Sequence, residues 1–344
     1  MSMNAIMLLC CITLINFISF LFWGWDMKKK RWGKKYVDKR NWKEYNKKLV
    51  KRGEAYISLD FIETWKKELE EMNKGKEGAP YQYPETLMIF LGYIYVLLGI
   101  DYRGLQGYLL GLSKLAPFEV PHYSTIYRRI SKLKIDLEKT LLKYKGKDVI
   151  ISLDSTGVKV TNRGEWIRHK WKVRRGWIKV HIAVDDKNKQ VTAISVTNEE
   201  IHDNAKFGEL LENSIKNVEA KGGKIIQANA DAAYDSNESF MKAEKFGIIP
   251  AIKVRKPPPT ARSKNPRKKY AKEYHGLGYE KWRDKYGYGK RWYSEIPHSV
   301  VKRKCGEFVR ASKEENMYHE AKLKYIFYNS MIFYDETGIP IWKK

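Results

Sequence analysis

The chain predicts an α/β fold, a mixed sheet flanked by helices and preceded by an α-helical region, and three observations carry that prediction. Between residues 83 and 133, apolar residues recur at helical spacing between proline and glycine breaks. From Val149 onward they change to short β-branched runs and to alternation. A single helical stripe, from Phe207 to Val218, then separates the strand-like segments. A chain of 344 residues, 43% of them apolar, has length for about two domains with real cores.

Taken in order, Ala5 to Trp25 is charge-free and apolar over about the length of a bilayer span. Two readings fit it. One is a membrane anchor, with the following Lys-Arg cluster holding the rest of the chain in the cytoplasm. The other, preferred here, is translation starting at Met27, which opens the basic segment MKKKRWGKKYVDKR. A signal peptide fits less well, because no charged residue precedes the run and no small-residue cleavage site follows it. Further on, Phe61, Trp65 and Leu69 lie four apart and predict an amphipathic helix whose stripe is core or an interface with a second protomer.

Pro84 opens the next helix, with Leu87, Phe90, Leu91, Ile94 and Leu98 inward and Gly99 as its end. Tyr102 to Leu112 forms another, carrying Leu105, Tyr108, Leu109 and Leu112. Ser124 then caps a third, TIYRRISKL, whose Arg128, Arg129 and Lys132 make one face basic. Three short helices ending in a basic one resemble a helix-turn-helix reader, with Arg128 and Arg129 as its DNA contacts.

In DVIISLDSTGVKV, a short apolar run ends at Asp154 and a Ser-Thr-Gly turn. WIKVHIAVDDKNKQVTAISVT alternates as a hairpin with Asp185 to Lys189 as its polar turn. A helix follows from His202 to Val218, where Asp203 is either a cap or, with His202, a contributor to a site. KIIQANADAAYDS supplies a second strand that passes through small residues to Asp231, and Asp235 competes with it for the same role. Asp231 is favoured because it directly follows the apolar strand. Strand-terminal acids are ordinarily caps or turn residues. Two of them followed by a third, however, make a set that can gather divalent ions on a phosphate.

The third acid sits in YGKRWYSEIPHSVVK. Tyr288, Arg291, Glu295 and Lys302 are separated by two, three and six residues. Seven residues at about 100° each nearly close two turns, so Glu295 and Lys302 share a helical face. Pro297 restricts the helix start to Ser294 or Glu295, leaving Tyr288 and Arg291 on the preceding glycine-bearing loop. Ahead of it, Pro257 to Pro259 break regular structure, and Lys268 to Tyr286 predicts a basic helix. Trp282 and Trp292 are expected as buried structural residues, with stacking on an unpaired base as the alternative role. LKYIFYNSMIFY predicts a last helix or strand against the sheet, and the tail ETGIPIWKK looks peripheral.

This spacing resembles the YREK signature of DDE transposases encoded by bacterial and archaeal insertion sequences. DAAYDS resembles the same family's D-x-x-Y-D-S block and departs from its commoner Lys-Gly interior at Ala232 and Ala233. His202 and Asp203 match a His-Asp pair of that family. The resemblance spans about residues 27 to 335 and implies an RNase H-like catalytic sheet. It implies Asp154, Asp231 and Glu295 as catalytic metal ligands for two Mg²⁺ or Mn²⁺ ions, with Tyr288, Arg291 and Lys302 toward DNA phosphate. It further implies endonucleolytic cutting at terminal inverted repeats of double-stranded DNA, strand transfer into target DNA, and assembly as a dimer or higher on DNA.

The expected organisation is therefore a hydrophobic segment at 1–26, a basic helical DNA-binding region at 27–145 and a catalytic domain at 146–335 with a basic insertion at about 255–287. A charge of +26, from 66 Lys and Arg against 40 Asp and Glu, fits a polyanionic partner. Its densest runs include MKKKRWGKKYVDKR, HKWKVRR and KVRKPPPTARSKNPRKKYAKEYH. Three cysteines, Cys10, Cys11 and Cys305, offer neither zinc spacing nor a disulfide framework and fit a reducing cytoplasm, where the protein is expected on DNA. No phosphate-binding glycine loop, dinucleotide fingerprint or internal repeat is present. The rival readings are a transposase-derived DNA-binding protein without chemistry, a related RNase H-like nuclease and a membrane-tethered basic protein. The intact set of three acids argues against the first, strand joining separates the second from a transposase, and the mass of the native amino terminus tests the third.

Overall fold

The computed structural model describes residues 40–160, 176–255 and 265–343. The hydrophobic segment at 1–26, the basic run from Met27 as far as Lys39, all of HKWKVRR and Pro257 to Pro259 lie outside the described residues. The chain forms two units, 1–47 and 48–344. In the first, α1 (Trp42–Lys51) begins, and the Arg40 guanidinium lies over the rings of Trp42 and Tyr45.

In the second unit the helical region comprises α2 (Trp65–Asn73), α3 (Glu85–Leu98), α4 (Tyr102–Leu112) and α5 (Tyr123–Ile130). Pro84 caps α3 and left-handed Gly99 ends it, as the punctuation predicts. Eleven of its 14 residues are buried, so α3 is a core helix. The helix expected through Phe61, Trp65 and Leu69 is interrupted: Phe61 lies in a separate 3₁₀ turn, Asp60–Ile62, and is fully buried as core. The expected Ser124 cap is also displaced, because His122 caps α5 and its ring nitrogen accepts from the Ser124 N–H.

The sheet has the order β3-β2-β1-β4-β5. β1 (Asp148–Lys159), β2 (Trp177–Asp185) and β3 (Val191–Asn198) run antiparallel as neighbours, whereas β4 (Lys224–Ala230) lies parallel to β1 and β5 (Ile249–Ile252) parallel to β4. The β2–β3 turn closes where expected, with the Asp185 carboxylate accepting from the Lys187 N–H and the Asn188 amide, both at 2.7 Å. α6 (Asp203–Ala220) returns the chain to β4, and α7 (Asn237–Lys245) joins β4 to β5.

Side-chain alternation gives the β1–β4 pair two distinct faces. Ile151, Leu153, Ala228 and Ala230 form one core with Phe207, Leu210, Leu211 and Val218 of α6. Ser152, Asp154, Thr156 and Asn229 occupy the other. A 3₁₀ segment (Tyr288–Ser294) packs over that second face and leads into α9 (Glu295–Cys305), whereas α10 (Glu314–Thr337) packs on β3 and α8 (Pro266–Tyr286) packs on α7 and the 3₁₀ segment, with Ala271 in the α6 core. α8 is kinked at Gly278, where φ is 73° and ψ 161°.

α10 resolves the helix-or-strand alternative at LKYIFYNSMIFY in favour of helix. Asn329 fastens it to the sheet, its side chain accepting from the Val191 N–H and donating to the Val191 carbonyl, both at 2.8 Å. Buried Lys324 donates to the carbonyls of Cys305, Gly306 and Phe308, which satisfies the end of α9 and the turn beyond it. Gly92 lets α3 approach α10 closely, since a Cβ there would stand 3.1 Å from the Phe327 ring. One apolar core consequently joins the helical region to β2, β3 and α10. The tail, expected to be peripheral, belongs to that core: Trp342 is 1% exposed and packs on Phe90 and Tyr93. Among the described residues no single helix is long and apolar enough to cross a membrane, and α3 and α4, apolar enough as a pair, are bent by 117°.

Candidate active site

Strand pairing brings the first two acids together. Leu153 pairs with Ala230 in parallel register, so Asp154 and Asp231 follow side by side where β4 ends. The Ser-Thr-Gly sequence after Asp154 is strand, a correction to the expected turn, because antiparallel β2 continues to pair with β1 as far as Lys159. Asp154 is thus mid-strand on one side and at a strand end on the other. Beyond Ala230 the Asp231 carboxylate accepts from the Ala233 N–H at 2.8 Å and caps a 3₁₀ turn.

The 3₁₀ segment Tyr288–Ser294 packs over β1, β2 and β4 and delivers the third acid. Glu295 is the first residue of α9, which accommodates Pro297 in its first turn as the sequence requires. Arg291 Nη2 stands 3.4 Å from Glu295 Oε1. Fully buried Ser294 donates to the Arg291 carbonyl at 2.8 Å and lies 3.4 Å from Asp154 Oδ2. Lys302, two turns along α9, donates to Thr156 Oγ1 at 2.8 Å, one step beyond Asp154 on the same strand face.

Burial pushes the Asp154 carboxyl up to about 6, and Asp231 and Glu295 add to the rise against the Ser155 N–H and Arg291. A carboxylate crowded by two others, with one guanidinium in reach, is an anionic pocket that lacks countercharge. The donors are all carboxylate oxygens, which suits hard divalent cations. Among the described residues, however, no three acidic, His or Cys side chains close in far enough to hold one ion together.

Several expected residues have other partners. Tyr288 is buried and donates to the Ala230 carbonyl at 3.0 Å, so it holds the 3₁₀ segment to the end of β4 and has no hydroxyl to offer phosphate. Asp235 is taken by Arg267 in a two-pronged ion pair at 2.6 and 2.8 Å, and also accepts from the Arg255 N–H. It ties α8 to the β4 end, leaving Asp231 as the acid at the site. Arg129 turns inward, donating to the Tyr83 carbonyl at 3.2 Å with its guanidinium over the Tyr81 ring, whereas Arg128 is exposed. His202 is exposed and its ring caps nothing, and Asp203 pairs with Lys179 at 2.6 Å. Trp282 is buried as expected, but Trp292 is 53% exposed.

Sequence reasoning missed Ser294, Thr156 and Asn229. The even spacing of Ser152, Asp154 and Thr156 along β1 was the available signal for Thr156. Asn229 is fully buried and donates to Asp186 at 3.2 Å, while Ser152 donates to the same carboxylate at 2.5 Å, which makes a polar floor beneath the acids.

A family model described as the transposase DDE domain matches residues 145–330, more than half of the chain, and a second model of the same description matches residues 50–163. The larger match runs from the turn before β1 into α10 and takes in all three acids, and with it the chain belongs to the DDE transposases.

Proposed function

We propose that this transposase cuts DNA at the terminal inverted repeats of its element and joins the freed 3′-hydroxyl to target DNA, with Asp154, Asp231 and Glu295 as the catalytic carboxylates. The observation that carries this reading is the arrival of three acids, from positions 154, 231 and 295, on one face of one sheet beside Arg291 and Lys302. The 288–302 spacing also supports membership of the YREK group.

Two Mg²⁺ or Mn²⁺ ions held by these carboxylates would supply Lewis-acid activation of the attacking oxygen and stabilisation of the leaving one. Asp154 and Asp231, fixed by the parallel strand pair and by the Ser155 and Ala233 N–H groups, give the rigid half of the ligand set. Glu295, 60% exposed at its side chain and in long contact with Arg291, would complete the ligand set. Arg291 would offer its guanidinium to a phosphate oxygen. Lys302 contributes positive charge from behind Thr156, and Ser294 keeps the 3₁₀ segment seated on β1. The rest of the division of labour assigns DNA binding to residues 27–145, with exposed Arg128 as a contact, and chemistry to 146–335, acting on DNA in the cytoplasm as a dimer or larger assembly.

The test is strand cleavage and joining by the full chain on inverted-repeat DNA with Mg²⁺, Mn²⁺ or Ca²⁺, comparing wild type with Glu295→Gln. The expected result is metal-dependent cutting and joining that disappears in the variant while DNA binding persists. Specific binding without chemistry in either protein would make the chain a DNA-binding derivative. Activity indifferent to Glu295→Gln would assign the third carboxylate elsewhere.

A further inference from the structure

A second cavity, of about 360 Å³, opens at the amino-terminal end of β1, away from the acids. Lys143 and Lys147 line it from the turn before β1, Lys187 and Lys189 from the β2–β3 turn, and Lys290 with Tyr293 from the 3₁₀ segment. Lys143, Lys147, Lys187 and Lys290 are exposed at its mouth. Among the described residues none of the four has a carboxylate within ion-pair distance, whereas Lys48, Arg52, Lys179, Lys221 and Lys285 all have one. Two of the acids in its wall are engaged inward: Asp186 is bonded to Ser152 and Asn229, and Asp185 to its own turn. Asp148, the third, is exposed. Counting half-buried Lys189, five ammonium groups face three carboxylates, and that positive surplus in a concave site attracts an anion.

The backbone supplies an independent observation. Among the described residues only two other than glycine adopt a left-handed conformation, Lys145 at φ 54° and Lys189 at φ 60°. They sit in the two turns that face each other across this cavity. A side chain in that conformation costs on the order of 1 kcal/mol or more, and such strain concentrates at ligand clamps.

We propose that this cavity clamps a backbone phosphate of the same DNA whose scissile phosphate lies at the acids, an assignment that rests on the function proposed above. Asp154 lies four residues beyond Ile150 and seven beyond Lys147. That is roughly 13–23 Å at the rise of a strand, short enough for one bound duplex to reach both places. The 3₁₀ segment links the two places, since Lys290 and Tyr293 line the cavity while Arg291 and Ser294 face the acids. A filled clamp therefore seats the segment that leads into Glu295.

The experiment measures duplex binding by the full chain over a range of salt concentrations, comparing Lys147→Gln/Lys187→Gln with a control pair, Lys216→Gln/Lys245→Gln, exposed on α6 and α7. The expected result is a salt-dependence slope smaller by about 0.9 in the cavity variant, for the one phosphate no longer neutralised, and unchanged in the control. Neutral methylphosphonate placed singly along both strands should weaken wild type at a position within about one helical turn of the cut, and should weaken the cavity variant no further there. Equal slopes in both variants, with cleavage still dependent on Glu295, overturn the clamp and leave the proposed function standing. A variant that alters binding of inorganic phosphate alone, with the DNA slope intact, also overturns it. A wild type that neither binds nor cuts duplex removes both.

Discussion

The two faces of the β1–β4 pair differ by one residue of register and by everything in chemistry. Leu153 and Ala230 point into a dry core beneath α6, while Asp154 and Asp231, the residues that follow them, lie by a polar floor beneath the 3₁₀ segment. Alternation keeps the two tasks apart at the shortest possible distance along the chain. Rigidity comes from one face, and the other can hold crowded carboxylates because its neighbour does not move.

The sharpest way to break this contrast is to put a carboxylate on the wrong face. Leu153→Asp places an unpaired charge against Phe207 and Leu210 and should give no folded protein by circular dichroism, since burying one without a partner costs several kcal/mol. Asp231→Asn should reduce single-turnover cleavage by roughly 10²–10³-fold or more, the size expected when an electrostatic group at the reacting phosphate is removed, with duplex affinity retained. Leu153→Ala should do the reverse, costing about 2–5 kcal/mol in urea unfolding with cleavage per folded molecule preserved.

A subtler prediction concerns pH. The Asp154 carboxyl is raised in the folded state, so folding favours its protonated form. Its contribution is most favourable below the ordinary carboxylate range and is lost as pH rises through about 6. In metal-free protein, Asp154→Asn should therefore be more stable than wild type at pH 7.5, by on the order of 2 kcal/mol, and the difference should vanish near pH 4. Equal melting temperatures at both values would mean that the acids are not crowded as described. Last, Tyr288→Phe should cost about 1 kcal/mol through loss of its bond to Ala230, with cleavage only slightly slowed.

The acids were legible because each stands at a change of pattern: an apolar run giving way to Asp154, small residues giving way to Asp231, and a proline fixing the start of the Glu295 helix. Their neighbours were not, because their roles depend on partners remote in the chain. Asp235 and Asp231 look alike until Arg267 arrives from α8. Arg128 and Arg129 look like one basic face, but a helix turns about 100° between them, and Tyr81 and Tyr83 capture the second. The length of β1 was hidden for the same reason: Ser155 to Lys159 extend only because β2 lies alongside.

The place of Trp342 against Phe90 and Tyr93 has a consequence for synthesis on the ribosome. The aromatic centre of the helical layer is laid down early, yet its final piece emerges about 250 residues later, roughly 10–50 s at ordinary elongation rates. During that interval the nascent chain carries an open apolar seam, so holdase chaperones should engage it. A truncation just before Trp342 should raise aggregation sharply.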